Sequence, residues 1–294
     1  MPNPSYFFQQ SLNALQLGSI YALIALGYTL VYGVLRMINF AHGDLFMVGG
    51  FFCFAAATYL GLSFVPTLLL VMALAALLGV LLERVAYRPL RNAPRVSAVI
   101  TALGCGIFLE HLVLARYPYP QSVPELVHNV TWHVAGLSFS SLQLLIVGLS
   151  VGLMLLLDFV VRRTMVGLAM RAISWDMRVV PLLGVPVDRI ITFTFALGGA
   201  LGGAAGVMYS LAYPVVDPFM GVLVGWKAFI AAVLGGIGNI RGAMLGGFLL
   251  GGVEIFVAAY YPSTYRDFVA FALLLGLLIL RPYGLLGRPP TQKV

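Results

Sequence analysis

The sequence predicts an all-α, polytopic bundle of transmembrane helices with about eight or nine spans. Of its 294 residues, 61% are hydrophobic and only 9% are charged, whereas soluble domains carry roughly a quarter charged residues. Several apolar stretches reach the roughly 20 residues that a helix needs to cross the hydrocarbon core. The alternating strands of about ten residues that form a membrane β-barrel are absent from the pattern.

Nine apolar segments are the predicted spans: 10–35, 45–61, 64–82, 96–115, 141–161, 190–211, 223–239, 242–261 and 267–281. Loops 83–95 and 162–189 are rich in arginine, which indicates the cytoplasmic side because basic residues accumulate there. Loop 116–140 has one arginine and loop 212–222 has none, so both are expected outside. If all nine segments cross, the N-terminus lies outside; if one is re-entrant, it lies inside.

We expect one transmembrane domain, 1–294, with segment 162–189 as a cytoplasmic loop within it. Glycines are concentrated in 198–206 and 235–252, at spacings that let helix backbones approach closely in lipid. The GGIGN sequence predicts either such packing or a tight turn over 235–242 between two short helices beside a translocation path. The polar break, glycine and small residues of 38–50 recur in 237–247, a weak indication of two similar halves with broken helices.

A polar cluster interrupts the first apolar region, where Arg36, Asn39, His42 and Asp44 lie within nine positions of one another. An ionisable group at the centre of a bilayer costs at least about 2.5 kcal/mol, which makes such groups candidates for function. One interpretation has Asp44 capping the following helix and Arg36 anchoring the inner interface. The other places Asn39, His42 and Asp44 on a substrate path, because an uncapped helix N-terminus can bind a carboxylate.

Lys227 and Glu254 also lie within apolar spans, and Asn239 lies in the glycine-rich turn. All three are further candidates for the substrate path. Lys227 would either extend to the interface or pair with Asp217 or Glu254 inside the bundle. Glu110, near the outer end of its span, is expected at the interface.

No enzyme motif is found in the sequence. It contains neither a G-x-x-x-x-G-K-[ST] phosphate-binding loop nor an H-E-x-x-H zinc motif, and Cys53 and Cys105 lie in apolar runs far from each other. We therefore expect no catalytic residue, metal or cofactor. The basic residues are spread over several loops, which argues against nucleic-acid binding. If the chain is a transporter, it must depend on ATP hydrolysis by a partner subunit or work passively, because it has no nucleotide-binding motif of its own.

The longest cytoplasmic segment, 164–189, has an amphipathic pattern that predicts a helix on the membrane face, ended by Gly184 and Pro186. A partner subunit could dock there; the alternative is a helix that lies in the lipid interface. The residues predicted for this docking are Arg171, Asp176, Arg178, Leu183 and Gly184.

Six segments resemble the permease family of branched-chain amino acid ABC importers, in particular its LivH-type subunits. They are LGSIYALIALGYTLVYGVLRMINFAHGD (17–44), ERVAYRPLRNAPR (83–95), RAISWDMRVVPLLGVPVDR (171–189), FTFALGGALGGAAGV (193–207), KAFIAAVLGGIGNIRGAMLGG (227–247) and RPYGLLGRP (281–289). The resemblance implies a multi-pass protein of the inner membrane, in contact with lipid, that forms a heterodimer with a second, homologous permease subunit. It also implies two cytoplasmic ATPase subunits and a periplasmic binding protein that delivers leucine, isoleucine, valine or related amino acids.

By the same resemblance, 171–186 looks like the coupling helix that the ATPase receives. The sequence departs from the family at Asp44, where glutamate is usual, at Val180 and Pro181, where small residues are usual, and at Arg241, often proline. Because proline disfavours helix before it, the coupling helix either starts at 181 or is broken there. Three alternative functions stay open. The chain could be a related permease for urea or short-chain amides, an ATP-independent channel or secondary carrier, or a membrane scaffold.

Overall fold

A computed structural model describes residues 4–91, 93–134 and 136–287 of the protein. Its helices are α1 (Pro4–Leu35), α2 (His42–Tyr59), α3 (Phe64–Leu82), α4 (Arg95–Arg116), α5 (Ser141–Arg163), α6 (Met165–Trp175), α7 (Val187–Ala212), α8 (Met220–Gly235), α9 (Ile240–Tyr260) and α10 (Tyr265–Leu280). A π-helical turn, Glu83–Tyr87, follows α3, and a 3₁₀ turn, Val180–Leu183, precedes α7. The end of the 281–289 motif lies outside the described residues.

Four short strands lie in the connections on one end of the bundle. They are β1 (Gln121–Ser122), β2 (Thr131–Val134), β3 (Leu137–Ser140) and β4 (Val215–Val216). Strands β2 and β3 form an antiparallel hairpin, and β1 pairs antiparallel with β4. The β1–β4 pair therefore ties the loop after α4 to the loop after α7.

The predicted all-α polytopic bundle is confirmed, and each of the nine predicted spans coincides with a helix. Six helices in the described part are long and apolar enough to cross a membrane: Ser5–Leu35, Phe64–Tyr87, Val96–Arg116, Ser141–Arg163, Val187–Ala212 and Ile240–Tyr260. Helices α2, α8 and α10 are shorter, with 18, 16 and 16 residues.

The start of α1 lies at the end of the bundle that carries the β2–β3 hairpin. The Gln9 amide donates to the Ser138 carbonyl at 3.1 Å, and the Tyr6 hydroxyl donates to the Ala259 carbonyl at 3.2 Å. The arginine-rich loops lie at the opposite end, so the hairpin end is the outer one by the distribution of basic residues. The start of α1 at this end agrees with an N-terminus outside.

Helix α1 is the central helix, and its middle third is almost completely buried. It packs directly on α9, where Gly247 lies against Ala22 and Gly251 against Gly18. In the same way Gly199 of α7 lies against the backbone of α3 at Ala75. The glycine-rich segments thus make the close backbone contacts that their spacing predicts.

The connections before α2 and α8 fold back into the bundle. Residues 36–41 return from the inner end of α1, so that His42 lies against Gly27, about 12 Å along the helix from its last residue. From the outer end, 213–219 descends until Met220 contacts Gly50 of α2. Helices α2 and α8 therefore begin inside the bundle, which accounts for their reduced length.

The predicted turn over 235–242 is present. Helix α8 ends at Gly235 and α9 begins at Ile240. Gly236 and Gly238 have φ angles of +104° and +92°, which residues with a Cβ rarely adopt. The prediction of two short helices is wrong for α9, which has 21 residues, and the turn lies at the inner end, beside Gly33. The segment is thus not the positional equivalent of the break at 36–41.

Candidate functional site

A cavity of about 280 Å³ lies where α1, α2, α4 and α8 meet. Small-molecule sites usually enclose roughly 300–1,000 Å³, so this space lies just below the lower limit of that range and suits only a very small ligand. Its walls are formed by Tyr28, Phe40, Asp44, Leu103, Ile107, Glu110, Gly221, Val222, Gly225 and Trp226. The cavity therefore brings the polar segment around Phe40 and Asp44 next to α4 and α8, which are distant from it along the chain.

Two carboxyl groups face each other in this cavity. Asp44 and Glu110 are only 6% and 8% exposed, and their side chains lie next to each other. Gly106 and Gly221 leave the space that the Asp44 carboxyl occupies. None of the ion pairs formed by the described residues involves either group. The cavity therefore offers acidic groups that no protein cation neutralises.

The expected interfacial position of Glu110 is wrong. Gly106, one turn earlier on α4, lies against Asp44 of α2, so the face of α4 that carries Glu110 is turned into the bundle. Its distance from the end of the span could not indicate this orientation. A lone glutamate in an apolar run was the available signal, because an intramembrane carboxyl usually faces a cavity or a partner.

Aromatic rings form another part of the wall. Phe40 and Trp226 lie with ring centroids 5.5 Å apart, and Phe229 lies within 5.9 Å of the Tyr28 ring. The faces of such rings attract cations, as do the two carboxyl groups. The arrangement favours a small ligand that carries both a protonated amine and an apolar part.

Asp44 lies in the first turn of α2 and is not its cap. Helix α2 begins at His42, its N-cap residue is Ala41, and no side chain caps it. The prediction that Asp44 caps the helix is therefore wrong, because the helix starts two residues earlier. A carboxylate in the first turn is still favoured by the helix dipole.

Asn39 and His42 lie behind the cavity wall. The Asn39 side-chain oxygen accepts a hydrogen bond of 3.0 Å from the Tyr87 hydroxyl. The His42 imidazole fills the space beside Gly27, with its ring 4.9 Å from the Tyr28 ring. The Ile24 carbonyl lies beside it, but neither ring nitrogen forms a hydrogen bond of normal geometry with the described residues. Neither residue lines the cavity, and their role on a substrate path stays a prediction.

Lys227 and Glu254 form a separate buried cluster. The Lys227 Nζ lies 3.1 Å from Glu254 and 2.7 Å from Asp267, and the Tyr21 hydroxyl donates to Glu254 at 3.1 Å. Lys227 thus pairs with Glu254, one of its two predicted partners, and with Asp267 in place of Asp217. Neither residue lines the cavity, and their role on a substrate path stays a prediction.

Asn239 caps α9 at the inner end. Its side-chain oxygen accepts a hydrogen bond from the Gly242 N–H at 3.3 Å, and its amide donates to the Leu286 carbonyl at 2.8 Å. The structure thus brings Asn39, His42 and Asp44 together and places Asn239 elsewhere. Its role on a substrate path also remains untested.

The predicted docking segment consists of two pieces. Helix α6 ends at Trp175, and Pro181 lies in the first turn of the short 3₁₀ helix, which ends at Gly184 with φ +76°. The expectation of one helix ending at Gly184 is wrong, because α6 stops well before the proline. The alternative of a break near Pro181 agrees with the structure, in which a separate 3₁₀ turn begins at Val180. Leu182 and Leu183 are 84% and 74% exposed, and apolar side chains so placed are typical of a surface that a partner covers.

The other predicted docking residues lie around this break. Arg171 donates to the Val161 carbonyl at the end of α5. The Asp176 carboxylate accepts from the Arg178 N–H at 2.9 Å and shapes the turn between the two pieces. The region is therefore ordered by its own contacts and leaves the leucines outward.

An ion network that the sequence analysis did not identify joins α3, α7 and the loop between α3 and α4. Arg91 pairs with both Glu83 and Asp188, Arg88 pairs with Asp188 at 2.6 Å, and Glu83 accepts from Thr192 at 2.9 Å. Glu83 is fully buried. Arg91 and Glu83 are 8 positions apart, but the partners on α7, Asp188 and Thr192, are about 100 positions from both. Spacing along the chain therefore gives no signal for the contact with α7.

The fold is that of a polytopic α-helical membrane protein. In the described part, no group of three or more histidine, cysteine or acidic residues is arranged to hold a metal ion. Residues 10–278 match the family described as the permease component of the branched-chain amino acid transport system. The chain belongs to this family.

Curated relatives cover almost the whole chain. It is 43% identical to the high-affinity branched-chain amino acid transport system permease protein BraD of Pseudomonas aeruginosa, with 100% of both chains covered. It is 42% identical to the permease protein LivH of Escherichia coli K12, with 98% of both covered. The autoinducer 2 import system permease protein LsrC of an Enterobacter species is 28% identical over 95% of this chain and 80% of its own. No solved structure gives a significant match.

Proposed function

We propose that the chain is the membrane-spanning permease subunit of an ATP-binding-cassette importer that carries branched-chain or related amino acids across the inner membrane. Membership of the permease family, with relatives of 42–43% identity that are named for branched-chain amino acid transport, carries this proposal. The lack of a phosphate-binding loop in the sequence supports ATP hydrolysis on other subunits.

The proposed assembly contains a second, homologous permease subunit, two cytoplasmic ATPase subunits and a periplasmic amino-acid-binding protein. In this assembly 1–294 acts as one transmembrane domain, and 162–189 is its coupling loop. The exposed Leu182 and Leu183 give the ATPase an apolar contact, with Gly184 ending the turn behind them. Arg171, Asp176 and Arg178 supply the polar contacts around it.

The cavity beside Asp44 is the proposed passage for the amino acid. Asp44 and Glu110 would hold the ammonium group of the substrate, since both are buried and neither forms an ion pair with another described residue. The Phe40 and Trp226 rings would contact its aliphatic side chain. Asn39 and His42 would keep the start of α2 in place. Lys227, Glu254 and Asn239 remain candidates for other points along the passage.

Reconstitution tests this function. The chain would be purified with and without its ATPase and second permease subunits, placed in liposomes and supplied with binding protein loaded with leucine. We expect ATP-dependent uptake by the complete complex only, with hydrolysis stimulated by the loaded binding protein. Concentrative uptake by the solitary chain would contradict the proposal and favour a secondary carrier. Uptake of urea or amides instead of leucine would agree with the proposed ATP-driven mechanism but would contradict the proposed substrate.

A further inference from the structure

A second, larger concavity lies at the inner end of the molecule. It has a volume of about 1,180 Å³ and lies between the ends of α1 and α5, helix α6, the start of α9 and the segment 282–287. None of the residues that line the cavity beside Asp44 lines this groove. We call it the basic groove, because the described residues that line it include five arginines and one carboxylate: Arg36, Arg162, Arg163, Arg171, Arg241 and Asp158.

The Asp158 carboxylate of the groove already forms ion pairs within the protein. Asp158 lies 2.8 Å from Arg162 and 3.1 Å from Arg241. Arg36 and Arg163 are exposed, and the described residues place no carboxylate within ion-pair distance of either one. A concave site with several guanidinium groups and one acid carries a net positive charge, which attracts an anion.

One rim of the groove is apolar. Leu155 and Phe159 on α5 line it, and both are largely exposed, together with the neighbouring Leu156 and with Leu144 nearer the outer end. Helix α5 is long and apolar enough to cross the membrane, and most of it lies outside the core of the protein. Its exposed face is therefore accessible to lipid tails, and Leu155 and Phe159 on that face also line the groove.

We propose that the basic groove binds an anionic phospholipid of the inner leaflet. Its phosphate would contact Arg36, Arg163 and Arg241, and an acyl chain would lie along Leu155 and Phe159. Guanidinium groups pair with phosphate oxygens in bidentate fashion, and basic pockets at the cytoplasmic ends of transmembrane helices hold anionic headgroups. Free phosphate would satisfy the arginines but would leave the apolar rim without a partner. The lipid satisfies both parts of the groove.

Native mass spectrometry of the purified full-length chain, in its complex where this forms, tests the proposal. Phosphatidylglycerol and phosphatidylcholine with identical acyl chains would be titrated separately. The test variant is Arg36→Gln/Arg163→Gln, which removes two of the three groove arginines that form no ion pair with the described residues. The third, Arg171, donates to the Val161 carbonyl and is left unchanged. The control variant is Arg84→Gln/Arg116→Gln, which removes the same charge from exposed positions outside the groove.

We expect tight, saturable binding of phosphatidylglycerol that exceeds binding of phosphatidylcholine. Since each basic residue near a membrane surface contributes about fivefold in affinity, the test variant should bind the anionic lipid about 25-fold more weakly, and the control variant should bind it unchanged. Equal retention of the two lipids, or equal loss in both variants, would overturn the site. Displacement of the lipid by millimolar inorganic phosphate would indicate that the groove binds a free anion, and would overturn the proposal that its ligand is a lipid.

This readout does not depend on transport. A complex that imports no amino acid can still retain the lipid, and an active complex can fail to retain it. Failure of the lipid site is therefore distinguishable from failure of the proposed function.

Discussion

The buried Lys227–Glu254 pair gives an ordered series of stability changes. Glu254 is 1% exposed, and it has the Lys227 Nζ and the Tyr21 hydroxyl as partners, both at 3.1 Å. Lys227 has a second partner in Asp267, whose side chain is 49% exposed. Removing the cation therefore leaves a buried carboxylate, whereas removing Glu254 leaves a cation that is still paired.

The expected costs follow from these partners. Lys227→Met should lower the free energy of unfolding by about 3–5 kcal/mol, the usual cost of leaving one buried charge alone. Glu254→Gln keeps a side-chain oxygen near Lys227 and should cost about 1–2 kcal/mol. Asp267→Asn removes a half-exposed partner and should cost at most about 1 kcal/mol. The double variant Lys227→Met/Glu254→Gln should be more stable than Lys227→Met alone, because no buried charge remains.

Unfolding of the purified variants in mixed micelles with a rising fraction of sodium dodecyl sulfate measures these differences. A double-mutant cycle then gives the coupling between the two residues. If Lys227→Met costs less than Asp267→Asn, or if the double variant loses the sum of the two single changes, the pair does not hold the buried charge as described. Leucine uptake by the double variant tests separately whether the pair has a transport role.

Three further predictions concern the cavity, the glycine contact and the docking loop. Asp44→Asn should lower leucine uptake at least tenfold, because a hydrogen bond to a charged group contributes about 1.5–3 kcal/mol; an equal loss in the exposed control Glu125→Gln would contradict this. Gly43→Ala would place a Cβ 2.9 Å from a backbone carbon of α8 and should destabilise the protein by about 1–3 kcal/mol in the same micelle titration. Gly252→Ala, which meets no atom within 4 Å, should cause no loss. Leu182→Glu should abolish co-purification of the ATPase subunits while the chain still elutes as a folded species in gel filtration; unchanged co-purification would remove Leu182 from the contact.

Much of the fold follows from the sequence, because lipid requires long apolar helices and places basic loops on one side. The nine spans and the turn at Gly236 and Gly238 are of this kind. Helix α8 starts three residues earlier than the predicted span. Glycine is typical of loops, but Gly221 lies within the helix, where it packs against α2. Local composition does not record such a tertiary contact.

The cavity was only partly predictable. Asp44 was identified from its polar neighbourhood, but its pairing with Glu110 depends on which face of α4 turns inward. The network of Glu83, Arg91 and Asp188 depends on contacts between distant loops. Both are determined by helix packing and not by spacing along one element.

The contact between α2 and α8 is made by glycine backbones. Gly43 lies directly against the backbone of Gly221 and Gly225. Interlocked leucines would have to change rotamers before such helices could shift, whereas smooth backbone surfaces allow small sliding displacements of the shear type. We therefore expect α2 and α8 to slide past each other at this wall of the Asp44 cavity. Such a shear motion would widen or narrow the opening beside the carboxyl groups while the rest of the core keeps its packing.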